Sequence, residues 1–188
     1  MGASSSTRSL KKQELAPMGR SYNIAMTSST ALAEAIPTVL RVADLPFADL
    51  AALLSRHDLR LQRVDDGEPI PGSFWGDPEA GVIGSVVYVR DDTPVHSLLH
   101  EACHLIVLSP GRRALVHTDA SDSDVEEDAT CYLQILLADR LPGVGSDRLM
   151  ADMDAWGYSF RMGSTRAWFE QDAEDARAWL LERGLLPV

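Results

Sequence analysis

The chain has few cysteines and a shortage of positive charge. Only two of its 188 residues are cysteines, Cys103 and Cys131, which is too few for the disulfide framework of a small secreted protein. We therefore expect free thiols in a reducing compartment. Seventeen Lys and Arg against 28 Asp and Glu give a formal net charge of -11, and a surface of that sign repels phosphate groups. Nucleic acid is consequently not an expected partner.

Long apolar runs are missing as well. No stretch reaches the ~18 apolar residues of a membrane span, and the N-terminus lacks the apolar run of about 7–15 residues that a secretion signal needs. These absences predict a soluble, cytoplasmic protein that does not associate with membranes. A hydrophobic content of 45% is nevertheless sufficient for one buried core.

The N-terminal segment differs in composition from the rest. Residues 1–30 are rich in Ser and Thr, contain both lysines of the chain and show no apolar periodicity. Such a composition is typical of a disordered segment. We therefore predict a disordered leader over residues 1–30 and a single folded domain over residues 31–188.

Apolar spacing and turn residues predict an α+β fold with more helix than strand. We expect a small antiparallel or mixed sheet packed on a helical core. A strand near residues 59–64 and one continuous strand over residues 82–90 would form the sheet. The predicted helices cover residues 44–56, 93–108 and 125–140, and two more begin at Ser146 and Ser164, the last ending at Gly184.

The helix over residues 93–108 contains the motif H-E-x-x-H, formed by His100, Glu101 and His104. Residues four apart lie on one face of a helix, so both imidazoles can reach a single metal ion. Glu101 projects about 100° further round the helix, near enough to act on a water molecule at the ion. This spacing is typical of hydrolytic zinc sites, which need a third protein ligand from elsewhere in the chain.

The third ligand has several candidates. Val107 and Pro110 stand where the extended metzincin motif needs glycine and histidine, which excludes that class. Glu126 lies on the apolar stripe of the next helix, where a carboxylate needs a positive partner, and it is the preferred candidate. Ser123 and Glu126 also fit a capping box, in which the Glu126 side chain would bond the Ser123 backbone N–H. Glu127 would then be the ligand, so it remains the alternative.

The motif followed by Glu126-Glu127-Asp128-Ala129-Thr130 resembles the small gluzincin metallopeptidases of the ImmA/IrrE type. The resemblance covers roughly residues 80–140. It implies a zincin-type core made of the HExxH helix and a glutamate helix, with zinc held by His100, His104 and Glu126. It also implies that substrate binds as an added strand beside the strand that precedes the motif. Thr130 stands where the family usually has Asn or Asp, and its hydroxyl can still bond a ligand histidine.

The resemblance implies a zinc-dependent metallopeptidase that hydrolyses a peptide bond in a protein or peptide substrate, such as a transcriptional repressor. Glu101 would be the catalytic general base. His117, Tyr132 and Tyr158 are candidates for stabilising the oxyanion, and His117 is also a rival third ligand. The alternative function is a catalytically inactive regulator that binds metal and keeps the same fold.

Overall fold

A computed structural model of the chain describes residues 38–76, 78–118 and 123–187. The leader predicted over residues 1–30 lies outside the described residues. The described part is α+β, with seven α-helices and one three-stranded mixed sheet, which confirms the predicted class. No helix in these three ranges is long and apolar enough to span a membrane.

The elements follow one another along the chain as a short helix, the sheet and then six further helices. The strands are β1 (Arg60–Arg63), β2 (Gly81–Ile83) and β3 (Val86–Val89). The helices are α1 (Phe47–Ser55), α2 (Val95–Val107), α3 (Pro110–Arg113), α4 (Asp124–Ala138), α5 (Gly145–Trp156), α6 (Thr165–Gln171) and α7 (Glu174–Glu182).

The sheet has the strand order β1-β3-β2 and is built around a hairpin. β1 pairs parallel with β3, whereas β2 pairs antiparallel with β3. The single strand predicted over residues 82–90 is therefore wrong: two strands occupy this segment. The chain reverses at Gly84 and Ser85, and Gly84 adopts a φ of +59° that a tight turn requires and other residues rarely accept.

Several predicted helix limits also need correction, among them the start of α5, which begins at Gly145 and not at Ser146. α1 begins at Phe47 and not at Asp44, because Asp44 belongs to a separate 3-10 turn. In that turn, the Asp44 side chain accepts a hydrogen bond from the Arg41 backbone N–H. α2 ends at Val107. Pro110, predicted only as part of the stop after α2, is the first residue of α3, and Ser109 is the N-cap of that helix. The final predicted helix is two helices, α6 and α7, and Ser164 caps the first of them.

α2 is the central helix of the fold. All thirteen of its residues are buried, because the sheet, α4 and α5 all pack against it. A helix enclosed in this way is normally apolar all round. α2 instead buries three imidazoles and one carboxylate, those of His96, His100, Glu101 and His104. Buried polar side chains need partners, and these four define the place to look for a functional site.

Candidate metal centre

Two imidazoles and one carboxylate converge between α2 and the first turns of α4. The Nε2 atoms of His100 and His104 lie 3.0 Å apart. The Glu127 carboxylate completes the triangle, with one oxygen 3.2 Å from His100 Nε2 and the other 3.4 Å from His104 Nε2. In the described ranges, His100, His104 and Glu127 are the group of His, Cys, Asp and Glu side chains that can hold a metal ion.

The size of this triangle fits a small divalent cation. Ligand atoms bound at about 2.0–2.1 Å and at tetrahedral angles lie about 3.3 Å from one another. The two Nε2 atoms lie 3.0 Å apart, and each lies 3.2 or 3.4 Å from a different oxygen of the Glu127 carboxylate, so all three distances are close to that value. Two imidazole nitrogens and a carboxylate oxygen are also the donor types that zinc prefers. The residues present can therefore hold a small divalent metal ion.

Both histidines are oriented from α4. His100 Nδ1 lies 2.9 Å from the Gln134 side-chain oxygen, and His104 Nδ1 lies 3.4 Å from the Thr130 hydroxyl. The Gln134 amide nitrogen donates to the sulfur of Met153, which keeps the oxygen turned toward His100. When the imidazole is neutral, an Nδ1–H bonded in this way leaves Nε2 without a proton, which is the form that can bind a metal ion. Thr130 thus lies where the expected support of a ligand histidine requires it.

Gln134→Leu should weaken zinc binding by about 10–100-fold, because losing the acceptor on Nδ1 frees the His100 ring to rotate and change tautomer. Gln134→Glu is the matched control, since its carboxylate still accepts from Nδ1–H. Competition titration against a chromophoric chelator measures both affinities. Equal affinity of the Leu variant and the wild type would show that Gln134 does not orient the ligand.

The two ligand imidazoles cannot both carry a proton on the facing side. Burial by itself lowers the pKa of His100, but the surrounding Tyr158, Cys131 and Glu127 outweigh this effect and raise that pKa well above its ordinary value. Burial, together with the charge of His100, lowers the pKa of His104 to about 3. The site therefore stabilises one cation between the two rings, a role that a metal ion can take over.

Glu126 does not join this group. Its buried carboxylate receives two hydrogen bonds from the Arg112 guanidinium, at 3.0 and 3.1 Å. It also lines a cavity of about 350 Å³ together with Trp179 and Arg183, on the side of α4 that faces α7. The structure thus gives Glu126 the positive partner that its apolar surroundings require, but that partner is an arginine. The carboxylate beside the histidines belongs to Glu127.

The carboxylate at the centre is that of Glu127 and not of Glu126 because α4 has two neighbouring helices. This helix packs against both α2 and α7, so it has two buried faces. The face toward α2 bears Glu127, Thr130 and Gln134, a polar row at helical spacing whose members all contact the site histidines. In the sequence, Glu126 lies on the apolar stripe of this helix and Glu127 does not, so apolar spacing favours Glu126.

Glu101 and Tyr158 lie at the same centre. Glu101 is only 8% exposed although it is a carboxylate. The half-buried Tyr158 follows Gly157, which ends α5 with a φ of +105°, and its ring centroid lies 6.0 Å from that of His100. Burial, with smaller effects from Glu79 and Glu101, raises the pKa of the Tyr158 hydroxyl. This hydroxyl therefore keeps its proton at neutral pH and can donate.

The other two oxyanion candidates lie differently. Tyr132 stacks on Phe169 with ring centroids 4.7 Å apart. His117 is exposed, with its Nδ1 2.9 Å from the hydroxyl of Thr118, and it is not part of the metal-binding group. Of the three residues, only Tyr158 has a ring contact with a histidine of that group among the described contacts.

His96 lies one turn before His100 and packs as an uncharged ring. Its centroid lies 5.1 Å from that of Trp156 and 5.5 Å from that of Tyr158. Neither ring nitrogen has a hydrogen-bond partner among the described residues. Burial, with repulsion from His100 and Arg41, lowers the pKa of His96 to about 3. His96 therefore has a packing role against Trp156 and Tyr158.

Cys103 and Cys131 are both free and buried, as expected from the sequence. Burial raises the pKa of both thiols, so they stay protonated and are poor metal ligands.

Comparisons with family models, curated proteins and solved structures found no significant match to this chain.

Proposed function

We propose that this protein is a zinc-dependent metallopeptidase whose zinc is held by His100, His104 and Glu127. The triangle of two Nε2 atoms and one carboxylate, with edges of 3.0–3.4 Å, is the observation that carries the proposal. The gluzincin resemblance of the ImmA/IrrE type supports it, with the third ligand displaced by one residue. The zincin-type core, made of α2 and α4, belongs to the same proposal.

Each polar side chain at the centre has a separate role. A bound zinc ion would polarise the scissile carbonyl and lower the pKa of water from ~15.7 toward ~7. The Glu101 carboxylate accepts the proton of the attacking water and passes it to the leaving amine. The protonated Tyr158 hydroxyl donates to the carbonyl oxygen as negative charge develops there. Gln134 and Thr130 hold the two imidazoles in orientation.

The three-ligand group and the buried Glu101 favour a catalytic site over an inactive metal-binding site. A purely structural zinc site is usually closed by four protein ligands, whereas three protein ligands leave a position for water and substrate. The described group has three members. The second candidate function, an inactive metal-binding regulator of the same fold, explains the triangle but assigns no chemical role to the buried Glu101 carboxylate.

The test is zinc analysis combined with a cleavage assay. Purified protein should contain about one zinc per chain, and it should cut a subset of a peptide library, detected by mass spectrometry. A chelator should stop the cleavage and added zinc should restore it. Because a peptidase acting on one regulator, such as a repressor, ignores most sequences, the library should contain several thousand peptides. Stoichiometric zinc with no cleaved peptide would favour the inactive regulator.

A further inference from the structure

The outer edge of β2 is covered by the chain itself. The Gly84 N–H donates to the Val116 carbonyl at 2.9 Å, and the Thr118 N–H donates to the Val82 carbonyl at 3.2 Å. Ile83 and His117 form an antiparallel bridge between these two bonds. Residues 116–118, which we name the strap, thus take the position of a fourth strand. Earlier in β2, the Val82 N–H donates to the Gly72 carbonyl.

The residues just before β2 contact side chains that surround the metal centre. The Ala80 N–H, just before β2, donates to the Ser97 hydroxyl on α2, one turn from His100. Glu79 accepts a hydrogen bond from Trp156, which packs on His96. An extended peptide binds a sheet by adding a strand at a free edge. A peptide that reaches the site along β2 therefore meets the strap.

The strap is bonded to β2 by two backbone hydrogen bonds and is strained. Thr118 has a φ of +79°, a left-handed conformation that a β-branched residue rarely adopts. Val116 is the buried anchor, but Leu115 before it is 85% exposed. Short segments with few buried contacts open at a low free-energy cost. Opening the strap breaks its two hydrogen bonds to β2 and uncovers one buried side chain, that of Val116.

We propose that the strap is autoinhibitory: residues 116–118 occupy the β2 edge that an extended peptide substrate takes, and the substrate displaces them. The displacing peptide has an apolar side chain at the position of Val116, which is where this strand-like segment inserts into the core. The proposal rests on the proposed peptidase function for its meaning, but the competition for the edge can be measured without hydrolysis.

The test uses the whole chain carrying Glu101→Gln and a labelled, end-blocked peptide that copies residues 114–118. Val116→Ser, which weakens the anchor, should make this peptide bind about tenfold more tightly. Thr118→Asn should make it bind about fivefold more weakly, because asparagine accepts a positive φ and the strap is then less strained. Melting curves establish that each variant is folded.

Amide hydrogen exchange gives a second readout on the same samples. At saturation with the peptide, the Thr118 amide should exchange faster, while the Gly84 amide stays protected because the peptide replaces Val116 as its acceptor. Equal affinities within about twofold, absence of binding to all three proteins, or unchanged exchange at Thr118 would overturn the proposal. These outcomes do not depend on catalysis, so they remain decisive if the chain cleaves no peptide.

Discussion

Replacing Glu127 with glutamine is expected to lower zinc affinity by more than about 100-fold. Substituting a residue that only orients a metal ligand already lowers metal affinity by about 10–100-fold, and Glu127 is proposed as a ligand itself. The variant removes the carboxylate that lies 3.2 and 3.4 Å from the two imidazoles. A neutral amide binds zinc poorly and does not balance the charge of the ion. Chelator competition monitored by absorbance, followed by zinc analysis after gel filtration, measures the effect.

Glu126→Gln is the matched control one residue away. It should keep zinc at wild-type affinity, because the Glu126 carboxylate is bonded to Arg112. It should still lower the free energy of unfolding by about 1–3 kcal/mol, since it weakens charged hydrogen bonds in a buried place. This stability change is measured in the presence of a chelator. Loss of zinc from Glu126→Gln with retention by Glu127→Gln would reverse the assignment.

The second large effect is expected at Glu101. Glu101→Gln should retain zinc at the wild-type affinity but lower kcat by about 10²–10⁴-fold, because the amide has the same shape and cannot accept a proton. Stopped assays on a cleaved peptide, with zinc content measured on the same sample, separate the two effects. Glu170→Gln, an exposed change on α6, is the control and should keep full activity.

The outcome at Glu101 also distinguishes the two functions. A peptidase loses turnover in Glu101→Gln without losing its metal. If zinc and activity disappear together, Glu101 supports the structure of the site and is not the base. If the wild type already shows no turnover and the substitution changes only stability, the chain is a metal-binding regulator.

The sequence predicts the parts of the site that depend on one helix. The four-residue spacing of His100 and His104 requires only that residues 95–107 are helical, and the structure brings both Nε2 atoms together. The choice between Glu126 and Glu127 depends instead on which face of α4 meets α2. Periodicity cannot decide this, because α4 is buried on two sides and its face toward the site is polar.

Other differences have equally local causes. The turn at Gly84 and Ser85 lies inside a β-branched run, so alternation alone predicts one strand where there are two. Arg112 comes from α3, a helix of four residues that has too few turns to show a periodic pattern. The pairing of Arg112 with Glu126 joins residues 14 apart across a loop, and a local sequence pattern does not predict a contact of that kind.

The most direct measurement is anomalous diffraction at the zinc edge from crystals of the zinc-loaded protein. We expect a single strong peak about 2.0–2.1 Å from Nε2 of His100, Nε2 of His104 and a carboxylate oxygen of Glu127, with Glu126 still on Arg112. A peak bound by Glu126, a peak elsewhere on the chain, or no peak at full zinc loading would contradict the account.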